Sequence, residues 1–118
     1  MIQQLVIPGW RPAALNQYVG RHWAVGHRLK KQDNQTVRLT ALLQGLRPAT
    51  SKRRVSVQVT LGKRQRPRDP DACWKSLLDA LVAARLLTDD DAEGVQLGDF
   101  TYERGEQMQT RITLEDLL

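Results

Sequence analysis

The chain has 118 residues, with 18 Lys and Arg against 13 Asp and Glu, and 41% of its residues are hydrophobic. This length fits one domain spanning residues 1–118. A single Cys excludes a disulfide framework, and with two His it also excludes the common zinc sites. No apolar run approaches the roughly 20 residues that span a bilayer, and residues 1–10 lack a signal-peptide pattern. We therefore expect a cytoplasmic protein with no membrane partner.

Charge is divided unevenly along the chain. Residues 1–68 contain 14 Lys and Arg and one acid, a net charge of +13, whereas residues 69–118 contain 4 Lys and Arg and 12 acids, a net charge of −8. The sum is the formal charge of +5. A strongly basic half is typical of proteins that bind a polyanion, with nucleic acid as the first candidate. The alternative is that the two halves neutralise each other in the fold.

The first half of the chain predicts a strand, a helix and a second strand. Residues 5–7 form a short strand, which Pro8-Gly9 closes before an irregular loop. A helix begins between residues 23 and 28 and ends at Leu46. Residues 54–61 alternate apolar and polar side chains, which is the period of a strand. The residues near helical spacing on the core side of the helix are Val37, Ala41, Leu42 and Leu46.

The second half of the chain predicts another helix and two more strands. A basic segment, residues 63–68, precedes a helix that starts near Pro70 and ends before Thr88. Two strands, 95–103 and 108–115, follow it. The order β-α-β-α-β-β predicts the α+β class, as a small two-layer sandwich of two main helices on a mixed sheet of about four strands. The apolar stripe of the second helix is Trp74, Leu77, Leu78, Leu81 and Val82.

Acidic residues frame this second helix. Asp69 is the expected N-cap, Asp71 lies in the first turn, and Lys75 and Asp79 follow on the same face at spacings of four. These are also ordinary helix-stabilising arrangements. The run Asp89-Asp90-Asp91 differs, because adjacent carboxylates repel one another and are disfavoured near a helix C-terminus. A divalent cation such as Mg²⁺ would balance them if the loop folds back along the helix, which spans about 24 Å, or if the helix is shorter than this.

Residues 63–95 resemble the RusA-type Holliday-junction resolvases, a family of small phage and bacterial endonucleases. The element order extends this resemblance to the rest of the chain, and Pro12, Asn16 and Tyr18 are similar to the family's first loop. The family's Asn after the second Asp is Ala72 here, a departure that leaves the level of activity open. The motif consists of Arg64-Gln-Arg-Pro-Arg-Asp69-Pro-Asp71, Lys75, Asp79-Ala-Leu81 and the acidic pair Asp89-Asp90.

The resemblance implies a homodimeric enzyme, encoded by a bacterium or a phage, that cuts four-way DNA junctions by paired nicks in DNA recombination and repair. Its cofactor is Mg²⁺, with Mn²⁺ as a substitute. Asp69 and Asp71 are implied metal ligands, and Lys75 is implied as an essential cation near the scissile phosphate. Counting forward from the helix makes Asp90 the third ligand, and counting backward from the next strand makes it Asp91. We favour Asp90.

The residues expected to bind DNA come from the first loop and the basic segment. Trp10, Tyr18 and Trp23 lie among basic residues, and stacking on bases and packing in the protein are equally good interpretations. His22 and His27 are expected to be solvated or to face DNA rather than to be catalytic. Cys73 is expected to be buried. The candidate DNA-binding residues are Arg11, Asn16, Arg21, Lys63, Arg64, Arg66 and Arg68.

Two hypotheses of function follow. The first is an Mg²⁺-dependent, structure-selective endodeoxyribonuclease in which Asp69, Asp71 and Asp90 hold the ion and Lys75 assists electrostatically. The second is a catalytically weak or inactive nucleic-acid-binding protein of the same fold, which Ala72 favours. The first predicts metal-dependent nicking of a junction, and the second predicts junction binding with a steep salt dependence and no nicking.

Overall fold

The computed structural model describes residues 1–14 and 23–117, with only the main chain at Trp23. Over these residues the chain has a radius of gyration of 13.7 Å, as expected for a compact chain of this length. The elements follow the predicted order, and the four strands form one mixed sheet, so the α+β prediction is confirmed. The elements are β1 (Ile2–Pro8), α1 (Trp23–Leu43), β2 (Arg53–Leu61), α2 (Pro70–Ala83), β3 (Val95–Arg104) and β4 (Gln109–Asp116).

The strand order in the sheet is β1-β4-β2-β3. β4 runs antiparallel to both of its neighbours, whereas β2 and β3 are parallel. A parallel pair needs a crossover connection, which α2 supplies. β3 and β4 are consecutive in the chain but β2 lies between them, and their link passes the end of β2, where Gly105 N–H donates to the Leu61 carbonyl at 3.0 Å. The basic segment 63–68 and the start of α2 thus follow the carboxyl end of a central strand.

The core lies between the sheet and the two helices. The alternation of β2 places one set of its side chains against the helices and leaves the other set half-buried on the opposite face. The predicted stripe of α2 is confirmed, because three of its residues are buried and Trp74 and Val82 pack against the core. The buried residues of this core include Leu5, Ile7, Val55, Val57, Val59, Leu61, Ile112 and Leu114 of the sheet and Leu77, Leu78 and Leu81 of α2.

α1 differs from its predicted pattern at its C-terminal end. Val37 and Ala41 are buried and Leu46 packs against the core, but Leu42 is 65% exposed, so the prediction that Leu42 faces the core is wrong. Five residues turn an α-helix by about 500°, which puts Leu42 about 140° around the axis from Val37. The helix ends at Leu43 rather than Leu46, and Gly45 with a φ of 70° turns the chain back.

The opposite face of the sheet is polar. Side chains including Gln58, Arg111 and Thr113 line a shallow groove there. β3 carries a bulge opposite Ser56, where a Cβ on Gly98 would lie 2.2 Å from the Ser56 Oγ. Within the described residues, no helix is both long and apolar enough to cross a membrane.

Candidate active site

The N-terminus of α2 presents two carboxylates to solvent. Asp69 is the N-cap, as predicted, with a φ of −60° and a ψ of 122°, and its Oδ1 accepts a hydrogen bond from the Asp71 N–H at 3.1 Å. Pro70 follows at a position that needs no N–H donor. The Asp71 side chain is exposed and makes no hydrogen bond or ion pair with any residue the structure describes. The positive end of the helix dipole stabilises both negative charges. Because both side chains are also exposed, a cation can reach them from solvent.

Lys75 lies one turn further along α2 and is held between two carboxylates. Its Nζ is 3.1 Å from Asp90 Oδ2 and 3.3 Å from Asp79 Oδ1. The pKa of Lys75 is raised, first by the hydrogen bond to Asp90 and then by the one to Asp79. The pKa of Asp90 is lowered, and the hydrogen bond from Lys75 is the largest cause. Both side chains are accessible to solvent, with 58% of Lys75 and 36% of Asp90 exposed.

The three acids of the loop after α2 have three different environments. Asp89 Oδ1 accepts a hydrogen bond from the Asp90 N–H at 2.7 Å. Asp90 pairs with Lys75. Asp91 Oδ1 accepts from the N–H groups of Glu93 and Gly94 at 3.0 and 3.1 Å, so its carboxylate closes a local turn. The structure therefore brings Asp90 to the helix and leaves Asp91 within the loop.

The loop reaches Lys75 because it folds back along α2. Arg85 adopts a φ of 62° just after the helix, and the next residues, Leu86 and Leu87, are buried and return the chain to the core. Gly94 closes the acidic loop: it is buried, and a Cβ there would lie 2.3 Å from the Asp89 main-chain oxygen. Only glycine permits this approach of two main-chain segments. At a rise of 1.5 Å per residue, Lys75 lies about 12 Å back along the helix axis from the end of α2, and the loop covers this distance to reach it.

The basic segment before α2 divides into free and anchored side chains. Lys63, Arg64 and Arg66 are exposed, and their side chains form no hydrogen bond or ion pair within the described part of the chain. Arg68 instead donates from Nη1 to the Pro12 carbonyl at 2.8 Å. Arg11 likewise donates from Nη1 to the Arg66 carbonyl at 2.7 Å. The two anchored guanidiniums tie the chain after β1 to the basic segment.

Tyr102 of β3 fixes the residue that precedes Asp69. Its hydroxyl donates to the Arg68 carbonyl at 2.7 Å and accepts from the Arg68 N–H at 3.1 Å. Burial raises the pKa of Tyr102 and, together with the nearby Arg68, lowers that of Arg11. Cys73 is buried as predicted, and burial raises the pKa of its thiol. The segment that leads into α2 is thus held through its main-chain groups, by the Tyr102 side chain of β3 and by the Arg11 side chain after β1.

The predicted metal ligands supply the hard carboxylate oxygens that Mg²⁺ prefers. In the arrangement seen, however, no three or more Asp, Glu, His or Cys side chains of residues 1–14 and 23–117 are grouped so as to hold a metal ion. Asp90 is paired with Lys75, and Asp69 is partly engaged by its capping hydrogen bond. An ion that uses Asp90 must therefore compete with the Lys75 ammonium.

Some sequence predictions fall outside the described residues. These are Asn16, Tyr18, Arg21, His22 and the side chain of Trp23. For Trp10 the structure favours packing, because this side chain lies against the core and its Nε1 donates to Asp33 Oδ1 at 3.0 Å.

Two residues that contribute to the site were missed in the sequence. Lys30 of α1 lies 3.4 Å from Asp79 Oδ2, and Tyr102 is the anchor of Arg68. Both contacts join residues more than 30 positions apart, so no local pattern indicates them. Asp79 itself was recognised as part of the polar face of α2, and its role as the link between two lysines appears only in the fold.

The sequence matches no protein-family model and no curated protein. The resemblance to the RusA-type resolvases accordingly rests on the motif between residues 63 and 95 and on the order of elements.

Proposed function

We propose that this chain is a metal-dependent endodeoxyribonuclease that resolves four-way DNA junctions by paired nicks. One observation carries the proposal: the loop after α2 returns to the helix and pairs Asp90 with Lys75, one turn from Asp71. Residues distant in the sequence thereby form one exposed polar surface of acids around a lysine. Lys63, Arg64 and Arg66 directly precede this surface and are free to bind phosphates.

The residues of this surface have distinct proposed roles. Asp69, Asp71 and Asp90 would hold Mg²⁺, or Mn²⁺ in its place, and the ion would supply an activated water and neutralise phosphate charge. The Lys75 ammonium stabilises negative charge on the phosphoryl oxygens. The exposed cations of the basic segment position the DNA backbone. We further propose a homodimer, since a two-fold junction suits two equivalent sites, and a cytoplasmic location in a bacterial or phage-infected cell.

The second candidate is a nucleic-acid-binding protein of this fold without catalysis. The absence of a grouped metal-ligand set among the described residues favours it, as does Ala72 beside Asp71. In that protein the Lys75–Asp90 pair would be a permanent structural contact.

The deciding experiment is cleavage of an end-labelled synthetic four-way junction, beside a linear duplex of the same sequence, with Mg²⁺, with Mn²⁺ and with chelator. Asp71→Asn is the test variant, because Asp71 is exposed and has no partner among the described residues that its loss would leave unpaired. Asp99→Asn is the matched control, since Asp99 is an exposed acid that lines the polar groove on the opposite face of the sheet. Thermal unfolding of all three proteins checks that they fold alike.

We expect metal-dependent nicking of the junction by the wild type and by Asp99→Asn. Asp71→Asn should lose at least about 100-fold in rate, the order of effect seen when a charge-stabilising group is removed from an active site. Undiminished cleavage by Asp71→Asn would remove Asp71 from the mechanism. Tight junction binding with no nicking in either metal would establish the second candidate instead.

A further inference from the structure

α1 carries a row of basic side chains to which the proposed function gives no role. His27, Lys31 and Arg38 are exposed, and at 100° per residue they lie within about 40° of one another around the helix axis. Lys30 adjoins this row on the side of α2. The sole acid of α1 is Asp33, which accepts a hydrogen bond from Trp10. The α1 basic stripe, defined here as His27, Lys30, Lys31 and Arg38, therefore contains no acid of its own.

The α1 basic stripe adjoins the candidate active site through direct contacts. Lys30 Nζ lies 3.4 Å from Asp79 Oδ2, while the other oxygen of Asp79 lies 3.3 Å from Lys75 Nζ. Further along α1, Arg38 lines a groove between α1 and the segment after α2, and Arg85 lines the same groove. The stripe is thus continuous with the polar face of α2.

The composition of the stripe differs from that of an ordinary solvated helix face. Such faces carry both signs of charge, with acids and bases paired at spacings of three or four residues. Lys31 and Arg38 form no ion pair within the part of the chain that the structure describes. From residue 27 to residue 38 the helix rises about 16 Å, and one DNA strand presents a phosphate about every 3.4 Å along the duplex axis. The stripe can therefore follow roughly five phosphates.

We propose that the α1 basic stripe is a second phosphate-binding surface, which holds a duplex arm of the DNA beside the candidate active site. The inference rests on the proposed function and extends it. The basic segment 63–68 precedes the N-terminus of α2, and the stripe adjoins its later turns at Asp79. A junction arm that lies along α2 then meets cations at both places, and the acids between them face the backbone that is to be cut.

The test is the salt dependence of junction binding, measured in chelator by the fluorescence anisotropy of a labelled four-way junction at several NaCl concentrations. The double variant Lys31→Ala/Arg38→Ala removes two exposed cations from a helix, where Ala is the most favourable residue. The control Lys52→Ala/Arg111→Ala changes the net charge equally, and neither of its side chains has a partner among the described residues. Circular dichroism compares the helix content of the proteins.

Each neutralised phosphate contributes about 0.9 to the slope of log K against log salt. We expect the stripe variant to lose about two units of slope, and the control to keep the wild-type slope. An unchanged slope in the stripe variant, with normal binding by the wild type, would overturn this inference and leave the proposed function standing. An equal loss in both variants would also overturn it, because net charge alone would then explain binding. A wild type that neither binds nor cuts the junction would overturn both proposals.

Discussion

At the scale of single residues, the acidic loop shows how the fold separates identical side chains. Asp90 contacts Lys75 on the helix, whereas Asp91 accepts hydrogen bonds from the two N–H groups of its own turn. Counting along the chain supports either residue as a ligand. Only the direction of each side chain distinguishes a group available to the site from one that shapes the loop.

Substitution by Asn tests this distinction between Asp90 and Asp91. Asn keeps an oxygen that accepts hydrogen bonds but has no charge, so Asp91→Asn should preserve the turn and most of the junction cleavage. Asp90→Asn should lose about 100-fold in cleavage rate, because the site loses a charge. Initial rates on the labelled junction measure both variants, with thermal unfolding as a check of folding. The reverse ranking would assign the functional role to Asp91.

At the scale of elements, α2 and the loop that follows it depend on each other. The αL residue Arg85, the buried Leu86 and Leu87 and the close approach at Gly94 direct the loop back along the helix. The Lys75–Asp90 pair then joins the loop to α2. Exposed pairs contribute little to stability, so the buried leucines and the turn determine the path of the loop, and the pair orients the two side chains.

The pH dependence of Asp90 reports this contact. The hydrogen bond from Lys75 lowers the pKa of Asp90 in the folded protein. The ionised Asp90 therefore stabilises the fold at pH values above its ordinary pKa of 3.8, and this contribution is lost as the pH falls through the lower pKa of the folded state. We expect carboxyl-carbon NMR to show Asp90 titrating below 3.8, and Lys75→Met to move its midpoint up toward that value. A midpoint that Lys75→Met leaves unchanged would show that the pair does not form in solution.

At the scale of the whole molecule, the uneven charge of the chain has two outcomes. Some cations of the first half pair with acids of the second half: Lys30 with Asp79, Arg53 with Asp116 and Arg54 with Glu115. Partial neutralisation between the halves, one of the two alternatives, thus occurs. Other cations have no side-chain partner among the described residues, and these include Lys63, Arg64 and Arg66 of the basic segment and Lys31 and Arg38 of the α1 basic stripe. These unpaired cations are the surfaces we assign to DNA.

Arg53 joins several parts of the fold from a buried position. It is 2% exposed and donates to Asp116 at 2.7 Å, to the Leu86 carbonyl at 2.9 Å and to the Arg47 carbonyl at 3.1 Å. Arg53→Met leaves these acceptors without their donor, and we expect a loss of about 3 kcal/mol in the free energy of unfolding.

The matched control for Arg53 is Arg54→Met, its neighbour in β2. Arg54 points to the other face of the sheet and makes an exposed pair with Glu115, with an expected effect of about 0–1 kcal/mol. Urea unfolding measures both variants. Equal effects at the two positions would show that the buried hydrogen bonds of Arg53 do not stabilise the fold.

The sequence by itself determined the class, the element order and the N-cap of α2, because these depend on local periodicity and on the conformations that Asp and Pro favour. It also indicated the acids and the basic segment. The wrong prediction that Leu42 faces the core also came from the local pattern alone, because residues five positions apart, such as Val37 and Leu42, do not lie on one face of a helix.

The tertiary structure alone decided which residues meet. Three features join distant parts of the chain: β2 lies between β3 and β4, Asp90 contacts Lys75, and Lys30 contacts Asp79. Such contacts arise from packing around the shared core, and no periodicity within one segment encodes them.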